Sequence, residues 1–311
     1  MSSSSIAKEP YPLLLKNILI TTAVSVGYLL LSYILIGYKT EQLFLVLLFN
    51  ALYYISKGTR RFIIGFSIFI IFWILFDYMK AFPNYRYNTV HIKSIYDAEK
   101  ALFGIMQGGA VLTPNEYWLT HQSTFLDIFS GFAYLCWMPV PLFFACYLFY
   151  TNRRQFYYFA LTFLLVNLVG FVGYYSYPAA PPWYIQLHGF DFNAATPGNT
   201  AGLDRFDQYF HTTIFKGLYT KSSNVFAAMP SLHAAYPSIV LYYGIKNRMG
   251  YINLLFALVV GGIWFAAVYS SHHYVLDVMA GICCAIIGFV IFHFLKSAAW
   301  FDRFISRLVS L

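Results

Sequence analysis

The strongest constraint on this 311-residue chain is a series of eight apolar stretches. Each is close to the ~20 residues that a helix needs to cross a hydrocarbon layer of ~30 Å. They run over 14–36, 40–56, 62–79, 125–150, 156–175, 231–246, 252–270 and 275–295. A bilayer accepts such a series because helices satisfy their own backbone groups and lipid covers the apolar side chains. Hydrophobic residues make up 59% of the chain and charged residues 10%. The expected fold is therefore an all-α polytopic integral membrane protein with about eight transmembrane helices. The second and sixth stretches are short, and are expected to be tilted or extended by their neighbours.

Charge placement orients the series. "SKGTRR" (56–61), "TNRR" (151–154), "KNRMG" (246–250) and the tail from Lys296 are basic connections on alternate turns. The positive-inside rule assigns them, with the N-terminus, to the cytoplasmic side. Two longer loops, 80–124 and 176–230, then lie outside and carry most of the remaining charge. Within the first, "SIYDAEKALFGI" (94–105) has helical spacing and is expected to lie along the interface. The opening "MSSSSIAKEPYP" lacks the short apolar run and cleavage site of a signal peptide, so the first stretch reads as a retained helix. The expected organisation is a two-helix region over 1–61, a catalytic membrane domain over 62–295 and a cytoplasmic basic tail over 296–311.

The net charge of +8 is scattered through short loops and forms no basic face. Lipid headgroups, not nucleic acid, are the anionic partners that pattern fits. Cys136, Cys146, Cys283 and Cys284 all lie inside apolar stretches and match neither a disulfide frame nor metal spacing. No P-loop and no metal site is legible, and no cofactor is expected.

The chemistry gathers at two edges. "MPSLHAAYP" (229–237) puts His233 at the outer end of the sixth stretch, and "SSHHYVLD" (270–277) puts His273 in the outer turn between the seventh and eighth. Two crossings separate them, so residues forty apart return to one face at similar depth. Asp277 follows His273 by four, which places both on one helical face. A carboxylate there can fix the imidazole tautomer and leave the other nitrogen as nucleophile or base. His233 can supply a proton to a leaving alkoxide. An aspartate inside a membrane helix needs a partner, and His273 is the nearest candidate. His272 points elsewhere and reads as a supporting or structural residue.

"PSLH" followed by "HYVLD" resembles the two histidine-bearing signatures of the type 2 phosphatidic acid phosphatase superfamily. "YPAAPPWY" (177–184), "GLDRFDQYF" (202–210) and "FAAMPSLHAAYP" (226–237) together resemble the inositol phosphorylceramide synthases of fungal type. The similarity runs in order over roughly 90–295. It implies a six-helix core with two added N-terminal spans. It also implies transfer of inositol phosphate from phosphatidylinositol to the primary hydroxyl of a ceramide. Two bulky lipid alcohols are hard to place on one phosphorus at once, so a two-step route through a phosphohistidine on His273, the histidine with a carboxylate four residues away, is expected.

The chain departs from the phosphatases where they carry Ser-Arg before the second histidine, because Ala266 and Ala267 stand there. Arg205, Lys216 and Lys221 are the candidate replacements for that arginine, with Ser231 as a hydrogen-bond donor. Pro181, Pro182 and Trp183 read either as a rigid turn with an interfacial anchor or as the edge of a lipid entrance. Asp77 and Asp127 fall at outer span ends, to pair with basic groups or to bind headgroup hydroxyls. Two rival functions share these features: a lipid-phosphate phosphatase using water as acceptor, and a transporter with a proton relay. Clustering of the polar groups at one interface disfavours the relay. The outer loops hold no Asn-X-Ser/Thr, which leans towards a bacterial inner membrane over a Golgi membrane.

Overall fold

A computed structural model describes residues 15–220 and 224–310 of the chain. The N-terminal segment read for a signal peptide, and Lys221, lie outside the described residues. The chain divides into two compact units at Ala81/Phe82.

The first unit holds α1 (Leu15–Ile36), α2 (Thr40–Ile55) and α3 (Lys57–Tyr78). Lipid gives apolar side chains little reason to leave it, so polar pairs help to hold such helices together. The Thr21 and Tyr54 hydroxyls are 2.6 Å apart, Asn50 Nδ2 donates to Ser25 Oγ at 2.9 Å, and the Ser32 and Tyr78 hydroxyls are 2.8 Å apart. Asp77 pairs with Lys80 at 2.7 Å and Lys39 at 3.5 Å, the basic pairing among its two expected roles.

The second unit begins with α4 (Lys93–Phe103), the helix expected from "SIYDAEKALFGI". Its Ile95 and Glu99 are buried, so one face packs onto protein. A hairpin follows, β1 (Ile105–Gln107) and β2 (Ala110–Leu112), turned by Gly108 and Gly109 at φ 59° and 82°. Two-residue turns of this kind need positive φ at both positions, which glycine adopts freely. Next comes α5 (Pro114–Thr120), whose N-terminus is a capping box: Thr113 Oγ accepts from Glu116 N, and Glu116 Oε2 accepts from Thr113 N.

The stretch 125–150, expected as one helix, is two: α6 (Thr124–Leu135) and α7 (Pro139–Thr151), bent by 40°. Pro139 lacks an N–H and its ring clashes with the turn before it, so the helix stops and restarts with proline at its first position. Then follow α8 (Arg153–Ser176), α9 (Pro182–His188), α10 (Asp204–Phe210), α11 (Ile214–Tyr219), α12 (Leu232–Lys246), α13 (Ile252–Tyr269), α14 (Val275–Ser297) and α15 (Ala299–Ser310).

Within the described residues every expected stretch is helical over most of its length. Among the described residues five helices (α1, α3, α8, α13, α14) are long and apolar enough to cross a membrane, and the bent α6–α7 pair makes a sixth. With 16 and 15 residues, α2 and α12 reach only ~24 and ~22 Å at ~1.5 Å per residue. The shortness of α12 follows from its position, since it packs against α7, α8, α13 and α14 at the centre of the bundle. Surrounded by protein, it can carry Tyr236, Pro237 and Tyr243 where a lipid-facing helix would carry leucine. The basic tail folds as α15, with Phe301 and Ile305 buried and Arg154 of α8 paired to its Asp302.

Candidate active site

Small residues bring the C-terminal end of α8 and the N-terminal ends of α12 and α14 together. A side chain on Gly281 of α14 would meet the Ser231 carbonyl oxygen, and one on Gly173 of α8 would meet Pro230 at 2.6 Å. The N–H of Ser231 donates to the Asp277 carbonyl at 2.8 Å. The first turn of α12 is thereby tied to the first turn of α14.

The turn that carries the second histidine folds back on α13. The N–H groups of His272 and His273 both donate to the Ala267 carbonyl, at 3.1 and 3.0 Å. Ser271 sits at φ 59°, a region that costs a non-glycine residue energy. It is held from outside: Trp183 N–H donates to its carbonyl at 3.0 Å and Gln186 Nε2 to its hydroxyl at 3.1 Å.

These ties set two imidazoles against each other. His273 Nε2 lies 3.4 Å from His233 Nδ1, and Tyr134 of α6 places its hydroxyl 3.0 Å from the same Nδ1. Trp137 packs edge-on against the His233 ring at 4.6 Å between centroids. On its other side, His273 Nδ1 is 3.5 Å from Asp277 Oδ2. That is longer than a good hydrogen bond, and the Ala228 backbone is a further partner of the ring. Asp277 Oδ2 accepts from Tyr274 N–H at 2.9 Å, while Oδ1 is unpaired. Contacts of this kind often tighten only when substrate is bound. Burial pushes the His273 imidazole down to about 4, so the ring is neutral at neutral pH. His272 is pushed down to about 3 by burial and then by His273. Its Nε2 lies 2.8 Å from the Thr200 carbonyl and its ring stacks on Tyr219 at 4.3 Å.

Arg205 lies on α10, and its Nε donates to Asp127 Oδ1, which also accepts the Tyr269 hydroxyl at 2.8 Å. The guanidinium covers the Tyr269 ring, and its Nη2 is buried without a partner. Asp127 thus has the basic pairing among its expected roles. Lys216 is exposed. The Ser231 hydroxyl is buried and unpartnered. Pro181, Pro182 and Trp183 are all buried. The stretch before them forms a bridge, with Ala179 paired in parallel to both His91 and Ala227. "YPAAPPWY" therefore joins the 80–124 loop to the segment leading into α12, and Trp183 joins it to the turn bearing the second histidine.

Ala266 and Ala267 are fully buried in a cluster with Tyr134, Leu203, Phe206, Phe215, Ala234 and Val278. An arginine there would have to displace this packing. Sequence reading missed Tyr134, whose spacing of seven from Asp127 puts both on one face of α6. It also missed Glu99 and Asn115, two fully buried polar residues whose partners are backbone atoms of the turn and of α14. Among the described residues no group of three or more His, Cys, Asp and Glu could hold a metal ion.

The sequence profile described as the PAP2 superfamily matches residues 94–291. A phosphoinositol dihydroceramide synthase of Bacteroides thetaiotaomicron is 43% identical over 295 residues, which cover 94% of this chain and 97% of that protein. The inositol phosphorylceramide synthase catalytic subunit of Saccharomyces cerevisiae is 28% identical over 80% of this chain and 62% of its own length. The inositol phosphorylceramide synthase of Candida albicans is 30% identical over 44% of this chain and 29% of that protein. No solved structure matches the chain.

Proposed function

The chain belongs to the PAP2 superfamily, and on that premise we propose that it transfers inositol phosphate from phosphatidylinositol to the primary hydroxyl of a ceramide-class lipid. The observation that carries the chemistry is the contact of His273 Nε2 with His233 Nδ1 at 3.4 Å, with Asp277 on the far side of His273. The choice of headgroup and acceptor rests on the relatives, above all the bacterial synthase matched along nearly its full length.

In the first half-reaction, neutral His273 attacks phosphorus through Nε2. The bond from phosphorus to the diacylglycerol oxygen breaks, and that oxygen takes a proton from His233. Inositol phosphate is left on His273 as a phosphoramidate. In the second, the ceramide hydroxyl gives its proton to His233 and its oxygen attacks phosphorus. The nitrogen–phosphorus bond breaks and His273 is regenerated. Two steps suit two bulky lipids because the first leaves before the second arrives at the same phosphorus. The substrate phosphate enters where the two rings now touch, so binding separates them. Asp277 stabilises the charge that develops on the imidazole and holds its tautomer.

The buried Ser231 hydroxyl and Arg205 Nη2, both unpartnered, are the groups we assign to the phosphate oxygens. We assign His272 to supporting the turn, and Pro181, Pro182 and Trp183 to fixing it from below the lipid entrance. Filling of the Ala266–Ala267 region weighs against a phosphate-monoester phosphatase that keeps its arginine there. The charge pattern supports an active site on the non-cytoplasmic face, and the bacterial relative supports an inner membrane.

The test incubates purified protein with headgroup-labelled phosphatidylinositol, with and without ceramide. Label in a new sphingolipid only when ceramide is present supports transfer. Release of free inositol phosphate or phosphate at the same rate without ceramide replaces it by hydrolysis.

A further inference from the structure

Two fully buried polar side chains of the 80–124 loop bond no imidazole nitrogen and yet end on the backbone that holds the second histidine. Glu99 of α4 accepts the N–H of Val275 through Oε1 at 2.9 Å and the N–H of Leu276 through Oε2 at 3.1 Å. These are the first two donors of α14, which no turn of that helix can satisfy. Asn115 of α5 donates through Nδ2 to the His273 carbonyl at 2.9 Å and to the Val268 carbonyl at 2.8 Å. One residue grips the chain just after His273 and the other grips His273 itself. Neither is needed to fold its own helix, since both hydrogen-bond outward, across more than 150 positions of sequence.

We propose that Glu99 and Asn115 are positioning residues for the transfer reaction: together they clamp the 268–276 segment so that His273 Nε2 faces His233 and Nδ1 faces Asp277. Glu99 acts as a carboxylate, because only the anion offers both oxygens as acceptors to two parallel N–H groups. The positive end of the α14 dipole favours that anion. Asn115 acts as a double donor and leaves its own Oδ1 unpaired, a cost tolerated where orientation matters. The segment being clamped is the one with Ser271 in a strained conformation, which would relax if released. Burial raises Glu99 to about 7, with Asp277 adding to the rise. The groups facing it from the α14 side are Asp277 and the Tyr274 hydroxyl. Protonation near neutral pH would convert one oxygen to a hydroxyl and loosen one of the two bonds.

The proposal rests on the transfer reading for its kinetics, so one arm of its test needs no lipid. Wild type, Glu99→Gln and Asn115→Leu are treated with diethyl pyrocarbonate, and the rate of His273 modification is read by mass spectrometry. Thermal melting in detergent checks that each variant folds. A clamp predicts that His273 reacts at least several-fold faster in both variants; an unchanged rate in folded variants overturns it. In the lipid arm, both variants lose between about 10- and 100-fold in kcat with KM for either lipid little altered, the loss expected of small misplacement. Wild-type kcat rises through about pH 7, and Glu99→Gln lacks that limb. A loss confined to KM, or the same limb in Glu99→Gln, contradicts the assignment. If wild type moves no inositol phosphate, the transfer reading fails, and the modification rate still decides on the clamp.

Discussion

Replacing Gly281 by alanine tests whether the close approach of α14 to Ser231 sets the geometry of the site. An added methyl would overlap the Ser231 carbonyl oxygen and come 3.0 Å from its carbon. Contacts under 3.0 Å are essentially never tolerated, so one backbone must withdraw by about 1 Å. Neither is free to do so alone. Ser231 is bonded to the Asp277 carbonyl one turn earlier on α14, and His233 follows it by two residues. The shift therefore opens the distance between His233 and the His273–Asp277 pair. A displacement of about 1 Å costs on the order of 100-fold in rate, and overpacking of this kind costs about 1–3 kcal/mol in stability. The assay is lipid transfer by purified, folded variant, normalised to the amount that melts cooperatively. Gly261→Ala is the matched control, since nothing lies within 4 Å of its added methyl. It should be neutral or slightly stabilising, as expected in a helix. Near-normal transfer by Gly281→Ala would refute the reasoning.

The remaining predictions concern charge, roles and sidedness. Glu99 is raised from an ordinary 4.5 to about 7 by burial, so its neutral form stabilises the fold below about pH 4.5 and that contribution is lost as pH rises through about 7. Wild type should therefore lose about 1–3 kcal/mol relative to Glu99→Gln between pH 5 and 8; parallel melting curves across that range would contradict it. Asp277→Asn should keep the fold but label His273 at least about 100-fold more slowly, because the imidazole loses its orienting anion. His233→Ala should slow both half-reactions by about 10²–10⁴-fold, yet a donor with a better leaving group should still label the protein. Cysteines at Met106, in the exposed hairpin, and Tyr251, before α13, should react from opposite sides of the membrane; reaction of both from one side would reverse or break the topology.

What could be read from sequence and what could not divide along physical lines. The helices were legible because apolar runs near 20 residues have few other uses, and His233, His273 and Asp277 because alternation returns them to one end of the bundle. The break at Pro139 was written in "PVP", but a continuous apolar run on both sides outweighed it. The hairpin at Gly108 and Gly109 was too short to show a period of two. Arg205 is legible as a phosphate ligand, while its pairing with Asp127 is out of reach because the two lie 78 positions apart. Glu99 and Asn115 carry the clearest lesson. Their partners are main-chain atoms, and no residue type marks which N–H or carbonyl a fold leaves unpaired.

Trapping the intermediate identifies the nitrogen that carries the inositol phosphate between donor and acceptor. Purified protein is mixed with phosphatidylinositol labelled in its headgroup phosphate, without ceramide, quenched in alkali to preserve phosphoramidates, digested, and mapped by mass spectrometry. Inositol phosphate on the peptide bearing His273, absent in His273→Ala and chased into sphingolipid by added ceramide, is the predicted result. Label on His233 instead, or full transfer activity in His273→Ala, would contradict the account.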